Sequence, residues 1–278
     1  MEMKILYEDH DILAIDKPSG VLTHPAPEQA RYGAGPDQKT ILGIFRKKYP
    51  KIELVHRLDK ETSGVMLLAK NQKAHEFLKK QFANREVKKV YHAIVSGSVK
   101  NDHGIINKPI GRSPSDFRRR LSGRGARGAM REAITEYEVL ERFTAKACEN
   151  FSSCALPVTK KKTGGTLGDK NSHKPLPFTY LEIKPKTGRT HQIRVHMKFL
   201  NHPVVGDSLY NPKGLPLPRV WVPSQTRPLR RGGSKGGGRM MLHAKSIEFN
   251  LPAQARNLKG KIIKVESPLP KEFTQISI

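Results

Sequence analysis

His56-Arg57-Leu58-Asp59-Lys60-Glu61-Thr62-Ser63-Gly64 places one carboxylate, Asp59, between two cations, Arg57 and Lys60. The string runs straight into Val65–Ala69, an apolar stretch with the composition of a buried strand. Thr62, Ser63 and Gly64 read as a tight turn. A carboxylate flanked by basic residues is held ionised at neutral pH. In a cleft such a group serves as a nucleophile or a base. Alone, an Asp next to an Arg also describes a surface ion pair, and an Asp before Thr-Ser-Gly a plain turn. The weight of the string therefore depends on what accompanies it.

Working outward, Lys4–Tyr7 and Ile12–Ile15 are apolar runs separated by Glu8-Asp9-His10-Asp11, a hairpin signature. Lys17-Pro18-Ser19-Gly20 turns the chain, and Val21–His24 reads as a further short strand before a Pro-, Gly- and Ala-rich loop over 25–38. Ile41, Leu42, Ile44 and Phe45 have helical spacing, and Tyr49-Pro50 ends that element. Asn71 is placed to cap a helix whose face carries Ala74, Phe77, Leu78 and Phe82. Lys89–Val99, Ile134–Leu140, Phe178–Ile183, Met240–Leu251 and Ile262–Val265 are rich in strand formers, and Thr190–Leu200 has helical spacing. Many strands with few helices predict an α+β protein on a mixed, mainly antiparallel sheet.

Of the 278 residues, 51 are Lys or Arg and 25 are Asp or Glu, a formal net charge of +26 that points to a polyanionic partner, above all nucleic acid. Arg112–Arg131 concentrates that charge in Arg112, Arg118, Arg119, Arg120, Arg124, Arg127 and Arg131, with Asp116 the only acid. Arginine interleaved with glycine offers bidentate phosphate contacts on a mobile backbone. Residues 145–177 and 212–239 lack periodicity and read as flexible insertions in one domain spanning 1–278; the second holds a basic run ending at Arg239 suited to phosphates. Cys148 and Cys154 form neither a disulfide framework nor a zinc ribbon, and His191 and His196, at i, i+5, fall on different helix faces. No metal is expected. With no signal-peptide pattern at the N-terminus and no apolar run long enough to span a bilayer, the reading is a cytoplasmic protein, expected to be monomeric.

Two more segments accompany the opening string. Lys89-Val90-Tyr91-His92-Ala93-Ile94-Val95-Ser96-Gly97 puts Lys89, Tyr91, Ala93 and Val95 on one face of a strand. Lys186-Thr187-Gly188-Arg189-Thr190-His191-Gln192-Ile193-Arg194-Val195-His196-Met197 combines glycine, arginine and histidine at the start of the candidate helix. Taken with Asp16–Gly20, Glu132–Tyr137, His202–Asp207 and Leu242-His243-Ala244, the chain resembles the RluA-type pseudouridine synthases over residues 4–273.

That resemblance implies the pseudouridine synthase fold, without the separate RNA-binding module that many relatives carry before it, and an isomerase acting on uridine in RNA. It implies that Asp59 is catalytic, that Tyr91 packs on the target base, and that Arg194 is the buried partner of Asp59. Ile193 would press on the base. Arg189 would contact phosphate or support the same ion pair, and Arg57 would fill the stack that a flipped nucleotide vacates. Arg118, Arg119 and Arg120 would grip RNA beside the target. An isomerisation needs no cofactor. Ribosomal RNA is the first expectation for substrate and transfer RNA the second. A non-catalytic RNA-binding descendant and a nucleobase glycosylase are the rival readings.

Overall fold

The computed structural model describes residues 3–24, 40–123, 125–145, 175–211, 239–251 and 262–274. The chain opens with the expected hairpin, β1 (Ile5–Glu8) and β2 (Ile12–Lys17). Helix α1 (Ile41–Arg46) follows, its Thr40 hydroxyl accepting from the Gly43 amide at 3.1 Å. After the short β3 (Glu53–Leu54), the fully buried β4 (Ser63–Ala69) leads to α2 (Gln72–Ala83), capped by Asn71 as its sequence predicts. Next come β5 (Lys88–Ser96), β6 (His103–Asn107), β7 (Ile110–Arg112), β8 (Arg120–Ser122), β9 (Arg127–Arg131) and β10 (Ile134–Ala145). The chain continues with β11 (Leu176–Pro185), α3 (Gln192–Phe199), β12 (Leu242–Asn250), β13 (Ile262–Glu266) and α4 (Lys271–Thr274).

The main sheet has the order β1-β2-β4-β12-β5-β11-β10-β6, with β3 on β4 and β13 on β12. Every pairing is antiparallel except β4 with β12, where Ser63 faces His243 and Gly64 faces Ala244. This is the mixed, mainly antiparallel α+β architecture expected. Gly64 has φ 108°, and a Cβ there would collide with the carbonyl of Ala244, so the parallel contact requires glycine.

Alternation along β4 divides the core. Val65 and Leu67 pack with Ile12, Ala74 and Leu78 beneath α2, while Met66 and Leu68 pack with Leu13, Ile41 and Phe45 beneath α1. Farther along the sheet, Ala93, Val95, Leu181 and Ile183 pack with Ile193 and Met197 of α3. The two halves thus meet where β12 lies between β4 and β5.

Several expectations are corrected. Val21–His24 is not a strand; Leu22 makes a single bridge to Thr40, because Pro18 to Gly20 has already turned the chain off the sheet. Ser63 and Gly64 belong to β4, so the turn is Asp59–Thr62, closed by the Thr62 amide on the Asp59 carbonyl at 3.1 Å. Arg112–Arg131, expected as a mobile loop, folds into a second sheet of order β8-β7-β9. Its strands are short and β9 is exposed along its whole length, so no buried face marks the period-2 pattern. Residue 145 closes β10 and residues 176–177 open β11, which trims the first insertion; 146–174, with both cysteines, and 212–238 lie outside the described residues, as do 25–39 and Arg124. Arg239 is no part of a free basic arm: its guanidinium bonds the Ser63 hydroxyl and lies 3.5 Å from Glu272.

Candidate active site

An open pocket of about 530 Å³ lies at the junction of the two halves. Its walls are the segment Val55–Asp59, the end of α2, the start of β5 and the turn leading into α3.

Asp59 owes its position to a clamp from the end of β2. Lys17 has no solvent exposure and donates to the carbonyls of Pro18 (2.9 Å), Lys60 (2.9 Å) and Thr62 (2.7 Å). Burial draws its pKa down to about 8, against the pull of Glu61 and Asp59. Ser19 Oγ donates to the Glu61 carbonyl at 2.7 Å, and Thr23 Oγ1 to that of Leu58 at 2.7 Å. The Gly20 amide donates to Lys60 O at 2.8 Å. Residues 17–23 therefore satisfy the carbonyls of 58–62 almost one by one, which fixes the direction in which Asp59 leaves the backbone.

The flanking cations Arg57 and Lys60 are exposed and make no hydrogen bond or ion pair with Asp59. Its partner comes from 135 residues away. Arg194 Nη1 donates to Asp59 Oδ2 at 2.9 Å, while its Nε and Nη2 form a fork on Asp207 at 2.7 and 2.9 Å. Asp207 also accepts from the amides of Leu209 and Tyr210 at 2.9 and 3.0 Å. The Tyr210 ring lies 5.1 Å from the guanidinium. Burial opposes the charge of Arg194, but Asp207 and then Asp59 outweigh it and raise its pKa above the ordinary value. One oxygen of Asp59 is thus tied to a rigid cation, and Oδ1 faces the pocket side with His191 Nε2 3.9 Å away.

Tyr91 and Ile193 line the same pocket. Burial, and secondarily Asp59, pushes the Tyr91 hydroxyl upward, which keeps it protonated. Ile193 is 6% exposed and joins the core beneath α3. Arg189 lies on the rim, where its Nε donates to the Glu132 carbonyl at 2.9 Å; it does not share the Asp59 ion pair, one of the two roles expected of it. Gln192 locks this turn, accepting from Thr187 Oγ1 and the Arg189 amide at 2.7 and 3.0 Å and donating to Ile134 O and Thr135 Oγ1 at 3.0 and 2.9 Å.

The three arginines grouped in the sequence part company. Arg118 is exposed and paired with Asp116, Arg119 lies 5.6 Å from the Tyr210 ring, and Arg120 folds its guanidinium onto the carbonyls of Phe117 and Arg119. Arg112, Arg127 and Arg131 remain exposed.

Four residues gain a place in or behind the site that the sequence did not assign. They are Lys17, Asp207, Tyr210 and Lys89; all but Tyr210 sit in matched pieces, but nothing local marks their partners. Lys89 lines the pocket with its ammonium 3.5 Å from the Thr187 carbonyl, and burial brings its pKa to about 8. His196 turns away from the pocket toward Thr135 Oγ1 and Lys108 O at 2.8 and 3.0 Å, so it shares no ligand position with His191. Among the described residues no three His, Cys, Asp or Glu side chains gather in a metal-binding cluster.

A buried arginine aiming a carboxylate into an open pocket beside a protonated tyrosine suits chemistry at a sugar–base bond. A family model described as RNA pseudouridylate synthase matches residues 11–199, and the chain belongs to that family, isomerases that convert uridine to pseudouridine in RNA. An uncharacterized RNA pseudouridine synthase of Aquifex aeolicus is 37% identical over 227 residues, 78% of this chain and 58% of the relative. The ribosomal large subunit pseudouridine synthase D of Pseudomonas aeruginosa is 34% identical over 279 residues, 98% of this chain and 70% of its own length. The solved human RNA pseudouridylate synthase domain containing 1 superposes with a TM-score of 0.63 at 25% identity, covering 97% of this chain and 84% of that one. No helix among the described residues is long and apolar enough to cross a membrane.

Proposed function

We propose that this protein isomerises specific uridines in large-subunit ribosomal RNA, with Asp59 as the reacting carboxylate. The observation that carries the reading is the 2.9 Å contact of Arg194 with Asp59 at a pocket open to solvent. In the reaction the N1–C1′ bond breaks with its electron pair going to uracil, the ring turns, C5 bonds to C1′, the C5 proton leaves, and N1, no longer bonded to the sugar, takes up a proton. Atoms and electrons balance without an oxidant, reductant or second substrate.

A target stacked in a helix must first be flipped out, which costs a few kcal/mol. Arg57, exposed on the pocket edge, fills the vacated stack. Tyr91 and Ile193 hold the uracil, Arg194 fixes Asp59, and Arg189 with Arg118, Arg119 and Arg120 meets the flanking phosphates. The net charge of +26 suits a large folded RNA, and the Pseudomonas relative carries a ribosomal name. The protein acts as one catalytic domain over 1–278, as a cytoplasmic monomer, with the basic residues of 212–238 adding phosphate contacts.

Tritium release from RNA labelled at uridine C5, wild type against Asp59→Ala, tests the reading. Release that requires Asp59, yields no free uracil and is faster on large-subunit ribosomal than on transfer RNA supports it. Release by the variant removes Asp59 from the chemistry. Free uracil makes the protein a glycosylase, and a preference for transfer RNA replaces the substrate.

A further inference from the structure

We infer that His191 is a second catalytic residue, a neutral imidazole whose Nε2–H donates a hydrogen bond to the uracil as it leaves C1′, and that Tyr210 is its positioning residue. The inference rests on the synthase reading above and assigns a further role within that site.

The tautomer follows from the partners. The Tyr210 hydroxyl accepts from the Arg120 amide at 2.8 Å and lies 3.0 Å from His191 Nδ1. The buried hydroxyl also has one hydrogen to place, and we assign it to His191 Nδ1, the acceptor within reach. Nδ1 is then the acceptor nitrogen of the ring, and the proton resides on Nε2. Burial, helped by Arg194 and Arg120 and opposed by Asp59 and Asp207, lowers the pKa of His191, so the ring is neutral. Edge-on packing of the imidazole on the Tyr210 ring, with centroids 5.7 Å apart, fixes its plane.

That nitrogen lies beside the carboxylate of Asp59. Nε2 stands 3.9 Å from Asp59 Oδ1, the oxygen that Arg194 leaves free. The gap is too long for a hydrogen bond between them. It is short enough that a nucleotide in contact with Oδ1 also lies within reach of Nε2–H. Both side chains are 16% exposed and line the pocket. His191 is held there at φ 56°, left-handed, as the residue before α3, and its side chain makes no capping bond. Backbone in that region costs about 1–2 kcal/mol and persists where the surroundings enforce it, often at working sites. With that backbone the ring lies beside both Asp59 and Tyr210.

When the N1–C1′ bond breaks, the pair left on uracil spreads over N1 and O2. A fixed neutral donor beside that position stabilises the charge without giving up its proton, so the ring stays free to turn and bond through C5. Tyr210 receives the Arg120 amide from the arginine-rich sheet, which joins the RNA-facing element to the donor through two hydrogen bonds.

The test compares single-turnover rates, RNA affinity and melting temperature for His191→Ala, His191→Gln, His191→Asn and Tyr210→Phe. His191→Ala should lower the rate about 10²-fold, the usual loss for one such donor, with RNA affinity unchanged within about twofold. The Gln amide nitrogen falls where Nε2 stands, and the Asn amide where Nδ1 stands. Gln should therefore recover at least about tenfold over Ala and Asn should not, although Asn suits the left-handed backbone better and should melt higher. Tyr210→Phe should lower the rate about tenfold alone and have no further effect on His191→Ala. Equal rates for Gln and Asn, or rates that follow melting temperature, would overturn the inference. A wild type that forms no pseudouridine would overturn the synthase reading and this one together. An active wild type with an equally active His191→Ala overturns the role of His191 alone.

Discussion

The ammonium of Lys17 donates to the carbonyl of Thr62 at 2.7 Å and so ties the last residue of β2 to the end of the turn that carries Asp59. Its other two hydrogen bonds reach Pro18 and Lys60, so a single side chain satisfies three carbonyls around the turn that carries Asp59. Lys17→Met keeps the volume and removes every donor. It should destabilise the protein by about 3 kcal/mol, since a buried carbonyl left unpaired costs roughly 1–3 kcal/mol, and should abolish tritium release. Urea unfolding and the release assay measure the two effects.

Arg194 serves Asp207 with two nitrogens and Asp59 with one. Arg194→Lys offers a point charge that cannot span both carboxylates. We expect turnover to fall more than 10²-fold and stability by about 3 kcal/mol, the lower end for breaking a buried pair. Asp207→Asn should lose stability to a similar degree yet retain more activity, because Arg194 still reaches Asp59. A full kinetic and unfolding comparison of the two variants decides this.

Lys89 faces the pocket with a pKa brought to about 8 by burial, below the ordinary lysine value. It is charged below that pH and neutral above it. Affinity for RNA at fixed low salt should therefore decline as pH rises through 8, and the decline should be absent in Lys89→Met, which binds weakly throughout. Lys89→Arg should stay flat and tight. Fluorescence anisotropy between pH 6.5 and 9.5 gives the profile.

Gly64 meets β12 with φ 108° where a Cβ would strike the Ala244 carbonyl. Gly64→Ala should cost more than about 3 kcal/mol or prevent folding, because backbone rather than a flexible side chain blocks it. Gly125, at φ 86° with open space around it, makes the control: its alanine variant bears backbone strain alone, about 1 kcal/mol. Thermal melts of both variants check the contrast.

Arg227, Arg230, Arg231 and Lys235 lie in the basic run ahead of Arg239. Deleting 226–238 while keeping Arg239, which bonds Ser63, should weaken RNA binding and flatten the dependence of log Kd on log salt by about one for each phosphate the shortened chain no longer neutralises. Affinity measured from 50 to 300 mM salt provides the slope, and an unchanged slope removes the segment from the interface.

Longer elements with an apolar run or stripe were legible from sequence, and the short strands of the second sheet were not. β4 is apolar throughout and α2 carries both its stripe and its Asn71 cap, so composition and spacing suffice for them. β6 and β9 expose most of their side chains, Ile105 by 68%, so no buried face marks their alternation. In the site, the contact of Asp59 with Arg194 joins residues 135 apart and has no local signature; motif resemblance alone brought it within reach. The neighbouring cations Arg57 and Lys60, which the local string offered first, point elsewhere. The Asp207 fork and the link from His191 to Tyr210 are pairings of the folded surface, with no periodic or compositional trace.

The place of β12 between β4 and β5 has a consequence for how the molecule is made. β4 and β5 follow one another in the chain with only α2 between them, yet the strand that joins them in the sheet begins at Leu242. A chain folding from its N-terminus is therefore expected to leave both inner edges unpaired until β12 arrives. Pairings this distant in sequence fold slowly. Asp59 hangs from the first half and Arg194 from the second, so the Asp59–Arg194 pair bridges the two halves that β12 joins. Competence is therefore expected to follow the docking of β12.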